Sequence, residues 1–418
     1  MRRFIAVLAI ITLFAAACGD DDSDDSGGDY TTLNVPDDYA TIQEAVDASE
    51  PGNLVLIGPG TYHEAVIVQT DDIVIRGTDR NEVILDGEHD ENFENGIIVF
   101  AGGVAVENLT VHSYASNGIF FTGGEYDGDP SFLQDYRASY VTAYNNGQYG
   151  IYAFNAQGGL MEHSYGSGHP DSAFYIGQCF PCNSVIDDVI SENNALGYSG
   201  TNAGGDLYVI NSVWRNNRIG LVPNSLNSEA LAPQHEGTFV GNYIHDNGNS
   251  DTPRKGDEWD LAFGVGLVIA GGNDNIIERN RSENNSFAGI AVSIFPDGDT
   301  IWPAEGNEVR ENVLSGNAVD LGLILLSGSD GPLGNCFEDN TFETSDPTDI
   351  ETVAVCGSTA AFEPGAIPDL VAHEPIDYKD MAAPDAQDTM PDAETAPPVP
   401  ATAPEFPDIT SISVPDAS

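Results

Sequence analysis

Positive charge is what this sequence lacks. Its 418 residues carry 13 lysines and arginines against 67 aspartates and glutamates, a formal net charge of −54. Such a field repels nucleic acid and anionic membranes and keeps the chain soluble. It disfavours acidic polysaccharides too, unless a divalent cation such as calcium bridges the two. Methionine (4), tryptophan (3) and histidine (8) are scarce. Long apolar runs are missing as well: beyond residues 4–14 no stretch is long enough to span a bilayer.

That first apolar run belongs to a targeting device. Arg2-Arg3 is a basic lead, Phe4 to Phe14 an apolar stretch, and Ala15-Ala-Ala-Cys18 a small-residue cleavage site. The pattern resembles a bacterial lipoprotein signal, with Ala15 where leucine is usual. The resemblance implies lipidation at Cys18 and an extracytoplasmic protein tied to the cell envelope by lipid alone. Residues 19–32, acidic and rich in Gly and Ser, cannot form a core and read as a flexible tether.

Four cysteines remain, an even number in an exported chain, which predicts disulfides. Cys336 and Cys356 are one repeat apart, and stacked strands lie about 4.7–4.9 Å from each other, within disulfide reach. Cys179-Phe-Pro-Cys182 is expected to close a small loop, although the spacing also suits a redox pair or half a zinc site.

A short phrase recurs from there on. Asn211-Ser-Val-Trp-Arg-Asn216 precedes Gly220-Leu221, Asn242-Tyr-Ile-His-Asp-Asn247 precedes Gly266-Leu267, and Asn312-Val-Leu-Ser-Gly-Asn317 precedes Gly322-Leu323. Looser copies run from Asp188 to Asn193 and from Asn280 to Asn285. Leading positions Ser139, His163, Asp188 and Asn211 are 23–25 residues apart, the period of a solenoid. No copy can bury its apolar face alone, so copies must stack. The fold class predicted is all-β: a right-handed parallel β-helix with a short N-terminal cap helix, over residues 33–356. Thr41-Ile-Gln-Glu44 has capping-box spacing, and Ile42, Ala45 and Val46 make the helix's apolar stripe. Kink asparagines tolerate left-handed backbone and bond between coils, so their role is structural.

Departures from the minimal coil are the insertions 123–136, 223–236, 248–262 and 295–306, where a solenoid builds its sites. Residues 357–418 shift to Pro, Ala, Asp and Thr and predict an irregular tail. It is either disordered or draped along the solenoid through Leu370, Ile376-Asp-Tyr378 or Phe406.

Thr41-Ile-Gln-Glu-Ala-Val46 with Val55-Leu-Ile-Gly-Pro-Gly-Thr-Tyr-His-Glu64 is similar to the start of many pectin lyase-like β-helix proteins. Phe174-Tyr-Ile-Gly-Gln178, Ser191-Glu-Asn-Asn194 and Gly264-Val-Gly-Leu-Val-Ile-Ala270 resemble bacterial right-handed parallel β-helix repeat proteins. These resemblances imply the fold and leave the chemistry open. The pectin methylesterase run Gln-Asp-Thr-Leu-Tyr is missing, Gln387-Asp388-Thr389 being followed by Met390-Pro391. Asp187-Asp188 lacks the Gly-His-Gly and Arg-Ile-Lys blocks of polygalacturonases. Ten bases in the coils are too few for a basic uronate cleft, and the Met and His counts do not suit a copper carrier.

One column of turns carries chemistry. Gly168-His169-Pro170-Asp171, Asn193-Asn194, Asn217-Arg218 and the insertion Arg254-Lys255-Gly256-Asp257-Glu258-Trp259-Asp260 should stack within about 15 Å. His169, Asp171, Asp257 and Asp260 are the catalytic candidates, as acid/base carboxylates or calcium ligands. Trp259 would stack on a sugar ring and Arg218 would hold a polar substituent. Outer tyrosines among Tyr114, Tyr144, Tyr149, Tyr152, Tyr165, Tyr175 and Tyr198 would add a stacking face. The expected function is a lipid-anchored surface protein that binds or processes extracellular polysaccharide. The alternative is a non-catalytic structural or adhesive solenoid.

Overall fold

The structure, a computed structural model, describes residues 30–126, 129–327, 329, 331–359, 365 and 373–417. Each repeat makes one coil and gives one strand to each of three parallel sheets. Leu207–Ile210 joins sheet A, Val213–Arg215 sheet B and Ile219–Asn224 sheet C. Among the described residues the sheets hold twelve, ten and eleven strands. Side chains alternate across each strand. Ile119, Ile151, Phe174, Tyr198, Leu221 and Leu267 therefore stack in register inside sheet C and are fully buried.

The recurring asparagines form ladders at the corners. At the turn from sheet B to sheet C, the Asn217, Asn247, Asn285 and Asn317 side chains each accept from the backbone N–H one coil before, at 2.9–3.1 Å. Asn242, Asn280, Asn312 and Asn340 do the same at the bend from A to B. Buried amides with such partners satisfy backbone groups that the corners take out of the sheets. The residue that turns the chain from A to B has positive φ in coil after coil, including Tyr140 (53°), His163 (47°), Asp188 (51°) and Asn211 (49°). The leading position expected at Ser139 is thus Tyr140; Ser139 still belongs to sheet A, paired with Glu162.

Both ends are covered. Helix Ile42–Ala48 buries Ile42, Ala45 and Val46, and the Thr41 hydroxyl accepts from the Glu44 N–H. At the far end helix Ile350–Val353 packs beside the last coil, where Cys336 and Cys356 are disulfide-bonded at a Cα separation of 4.6 Å. Cys179 and Cys182 close their small loop at 4.8 Å.

The tail has little regular structure, yet residues 373–417 do not wander. They run along the coils toward the N-terminal end, cross sheet A and return over its outer face. Ile376 donates to Thr252, Tyr378 packs edge-on against His89, and Phe406 lies 5.5 Å from Tyr208. Leu370 lies outside the described residues. Disorder is overcome by arginine. Arg76, Arg80, Arg137, Arg218, Arg279 and Arg281 each donate to tail carbonyls, among them Ala396, Asp388, Val399, His373, Ile409 and Pro415. A proline-rich segment has no ladder in which to spend its carbonyls, and a guanidinium fork supplies the donors.

Candidate functional site on the outer face of sheet C

The outward positions of sheet C form a column in register: Phe120, Tyr152, Tyr175, Ser199, Val222. Its first half is aromatic. Phe120 stacks on Tyr152 at 4.5 Å, and Tyr149, from the preceding turn, stacks on Tyr152 at 4.3 Å. Its second half, Ser199 and Val222, is small and is roofed by Trp259, from the insertion 248–262, and by Phe295, from the hairpin 295–302.

Where the two halves meet, two insertions converge. The 223–236 loop brings in Glu229, whose Oε1 accepts from the Tyr175 hydroxyl at 2.8 Å. Its Oε2 is buried with no hydrogen-bond partner. Burial pushes the Glu229 carboxyl up to about 7, so it holds a proton near neutrality. The loop is fixed from below: the Asn202 side chain donates to the carbonyls of Leu226, Glu229 and Ala230 and accepts from Leu226 N–H. The second insertion brings in Lys255, which pairs with Asp171 at 2.9 Å and lies 4.5 Å above the Trp259 ring. Tyr149 faces Asp171, and burial together with that carboxylate raises its hydroxyl well above the usual range.

The predicted column is real in register, but its members divide. Asp171 and Trp259 do come together, through Lys255. Trp259 is 5% exposed and forms a wall rather than an open stacking platform. His169 is a correction. It is a rung of the B–C ladder, with Nδ1 2.8 Å from Asn194 Oδ1 and Nε2 3.3 Å from Asn146 Nδ2. Burial lowers it to about 4, so it is neutral, sealed and unable to touch a substrate. Arg218 and Asp260 are corrections of the same kind. Both are buried; Arg218 donates to Ser250, Pro253 and His373 carbonyls, and Asp260 pairs with Arg254 at 3.2 Å. They hold the insertion in shape. Asp257 opens the short 3-10 turn 257–262, and its side chain lies outside the described residues. Among the described residues no cluster of three or more His, Cys, Asp or Glu is arranged to hold a metal.

Glu229 escaped the sequence reading. Its only signal was a carboxylate inside an insertion that had been marked out for length alone.

A family model described as "Right handed beta helix region" matches residues 133–293. The Azotobacter vinelandii mannuronan C-5 epimerase AlgE4 A-module superposes with a TM-score of 0.52 at 18% identity, covering 76% of this chain and 96% of that one. A rhamnogalacturonan lyase gives 0.51 at 11% identity, covering 76% and 87%. The chain is a right-handed parallel β-helix. No curated protein sequence matches it. In this β-helix the two converging insertions, rather than the coils, give sheet C its distinctive chemistry.

Proposed function

We propose that this β-helix processes a neutral extracellular polysaccharide on the outer face of sheet C, by hydrolysis with Glu229 as general acid. The observation that carries this is the Glu229 carboxyl: Oε1 oriented by Tyr175, Oε2 buried without a partner, and a proton retained to about 7. A glycosidic oxygen is the kind of acceptor that such a group needs. Asp171, paired with Lys255, is the second carboxylate, in the base or nucleophile role. Environments that set two carboxyls apart are how one site holds an acid and a base together. The rings of Phe120, Tyr149 and Tyr152 offer the adjoining sugars a stacking surface.

Charge argues for a neutral substrate. All ten bases of the coils already have partners: Arg215 holds Glu192, Arg310 and Arg279 hold Glu278, Arg281 holds Glu283, Arg76 and Arg137 hold Glu107. Arg80 and Arg218 are spent on carbonyls, Arg254 on Asp260 and Lys255 on Asp171. An acidic polymer would have to bring its own counter-ion, calcium for instance. Cys18 lies outside the described residues. Lipidation there would put this face of the solenoid on the cell envelope, where such polymers are met.

The test is to incubate the protein with neutral and acidic polysaccharides, with and without calcium, and to follow new reducing ends and unsaturated uronates. We expect reducing ends from a neutral polymer, lost in Glu229→Gln and in Asp171→Asn. Unsaturated uronates would replace hydrolysis by a lyase reaction. Gel retardation without cleavage, insensitive to both substitutions, would make the solenoid a binding or structural module.

A further inference from the structure

The tail does not pack evenly. Over sheet A it is tight: Ile409 and Ile412 sit on Val185, Ile210 and Val240. Where residues 386–391 pass the bend between sheets A and B, it is gripped along one edge only. Arg80 donates to the Asp388 carbonyl at 2.9 Å, Asn81 and Gln387 exchange hydrogen bonds, and Asn108 Oδ1 accepts from Met390 N–H at 2.7 Å. The other edge stands away from the coils and leaves a hollow of about 720 Å³. Ligand pockets are commonly about 300–1,000 Å³. A strap whose only task was to cover the bend would have closed the gap, as it does over sheet A.

The floor of the hollow is the column of left-handed bend residues. Tyr140, His163 and Asp188 occupy equivalent places in three successive coils, and positive φ turns their side chains outward. The Tyr140 and His163 rings lie 4.7 Å apart. His163 Nδ1 is 2.7 Å from Asp188 Oδ2, and both side chains remain exposed. Tyr165, 3% exposed, backs these rings from within the wall, its hydroxyl donating to Glu192 at 2.6 Å. Arg80 forms part of the lining but is 3% exposed, and its donors are spent on Thr142, Val141, His163 and Asp388. An anion would therefore find carboxylates and no free donor of positive charge.

We infer that this tail-walled hollow is a second binding site, for an uncharged sugar unit. The rings of Tyr140 and His163 take its apolar faces, and the Asp188 carboxylate accepts from its hydroxyls. It lies on a different face from Glu229 and does not depend on that reading. Two separate sites on one rigid rod would hold a polymer at two points, and a bivalent hold is tighter than either alone.

The test uses the full chain, titrated calorimetrically with hexasaccharides of glucose, mannose and xylose and with a glucosamine hexamer. Tyr140→Asn and Asp188→Asn are the variants, because asparagine tolerates the left-handed backbone at both positions. We expect a neutral hexasaccharide to bind, each variant to weaken it by about tenfold, and Glu229→Gln to leave this component unchanged. No binding by the native chain, equal binding by both variants, or binding of the glucosamine hexamer alone would each overturn the assignment.

Discussion

At the scale of single residues, two titratable groups in the same neighbourhood have opposite fates for one physical reason. Burial disfavours charge, so it raises Glu229 to about 7 and lowers His169 to about 4. Glu229 keeps one buried oxygen without a partner, whereas His169 is fully bonded into a ladder. We expect His169→Asn to keep the fold and any activity, because asparagine is what the other rungs use. His169→Ala, which strands its ladder partners, should cost about 1–3 kcal/mol in urea unfolding. For Glu229 the sign follows from linkage. A carboxyl whose folded value lies above its unfolded one binds more protons when folded, so its contribution to stability falls as pH rises from about 4.5 through about 7. Glu229→Gln should therefore be neutral at pH 4 and stabilising by about 3 kcal/mol at pH 8, measured by thermal unfolding across pH. Cleavage by the native protein should decline above about pH 7 as the acid loses its proton.

At the scale of elements, the site depends on insertions that coils alone would not position. The 248–262 insertion is held by Arg218, which reaches its Ser250 and Pro253 carbonyls, lies 5.5 Å from the neighbouring Phe263 ring and sits 4.0 Å from Asp260. Removing a buried guanidinium leaves the buried Asp260 with Arg254 as its remaining ion pair, at a cost of about 3–5 kcal/mol. Arg218→Ala should make the insertion a preferred site of limited proteolysis and reduce cleavage by displacing Lys255. A variant with native proteolytic resistance would mean that the loop holds itself. The insertions were legible by length, because they interrupt a regular period. What they carry was not, since Glu229 meets Tyr175 across 54 residues and only the stacking of coils brings them together.

At the scale of the whole molecule, one strap ties the rod together. The tail spends six arginines, crosses sheet A and covers the apolar patch of Val185, Ile210 and Val240. In a solenoid each coil touches only its neighbours, so a segment that touches distant coils couples their stabilities. Ending the chain after Gly357 should lower the apparent Tm by about 5 °C or more and increase the binding of a hydrophobic dye. An unchanged Tm would make the strap energetically idle.

The sequence by itself determined the solenoid, because a 23–25-residue period of β-branched runs and corner asparagines has one economical solution: stack the coils and bond the amides between them. It determined the cap helix too, from spacing alone. It also held a sign that His169 was structural, for His169 occupies the ladder position that Asn194 and Asn217 fill in the next two coils. Tertiary structure decided the rest. Which turn residues face inward, which insertion folds back over which sheet, and whether an acidic proline-rich tail finds donors along the rod are all contacts between residues far apart in the chain. Local pattern carries no term for them.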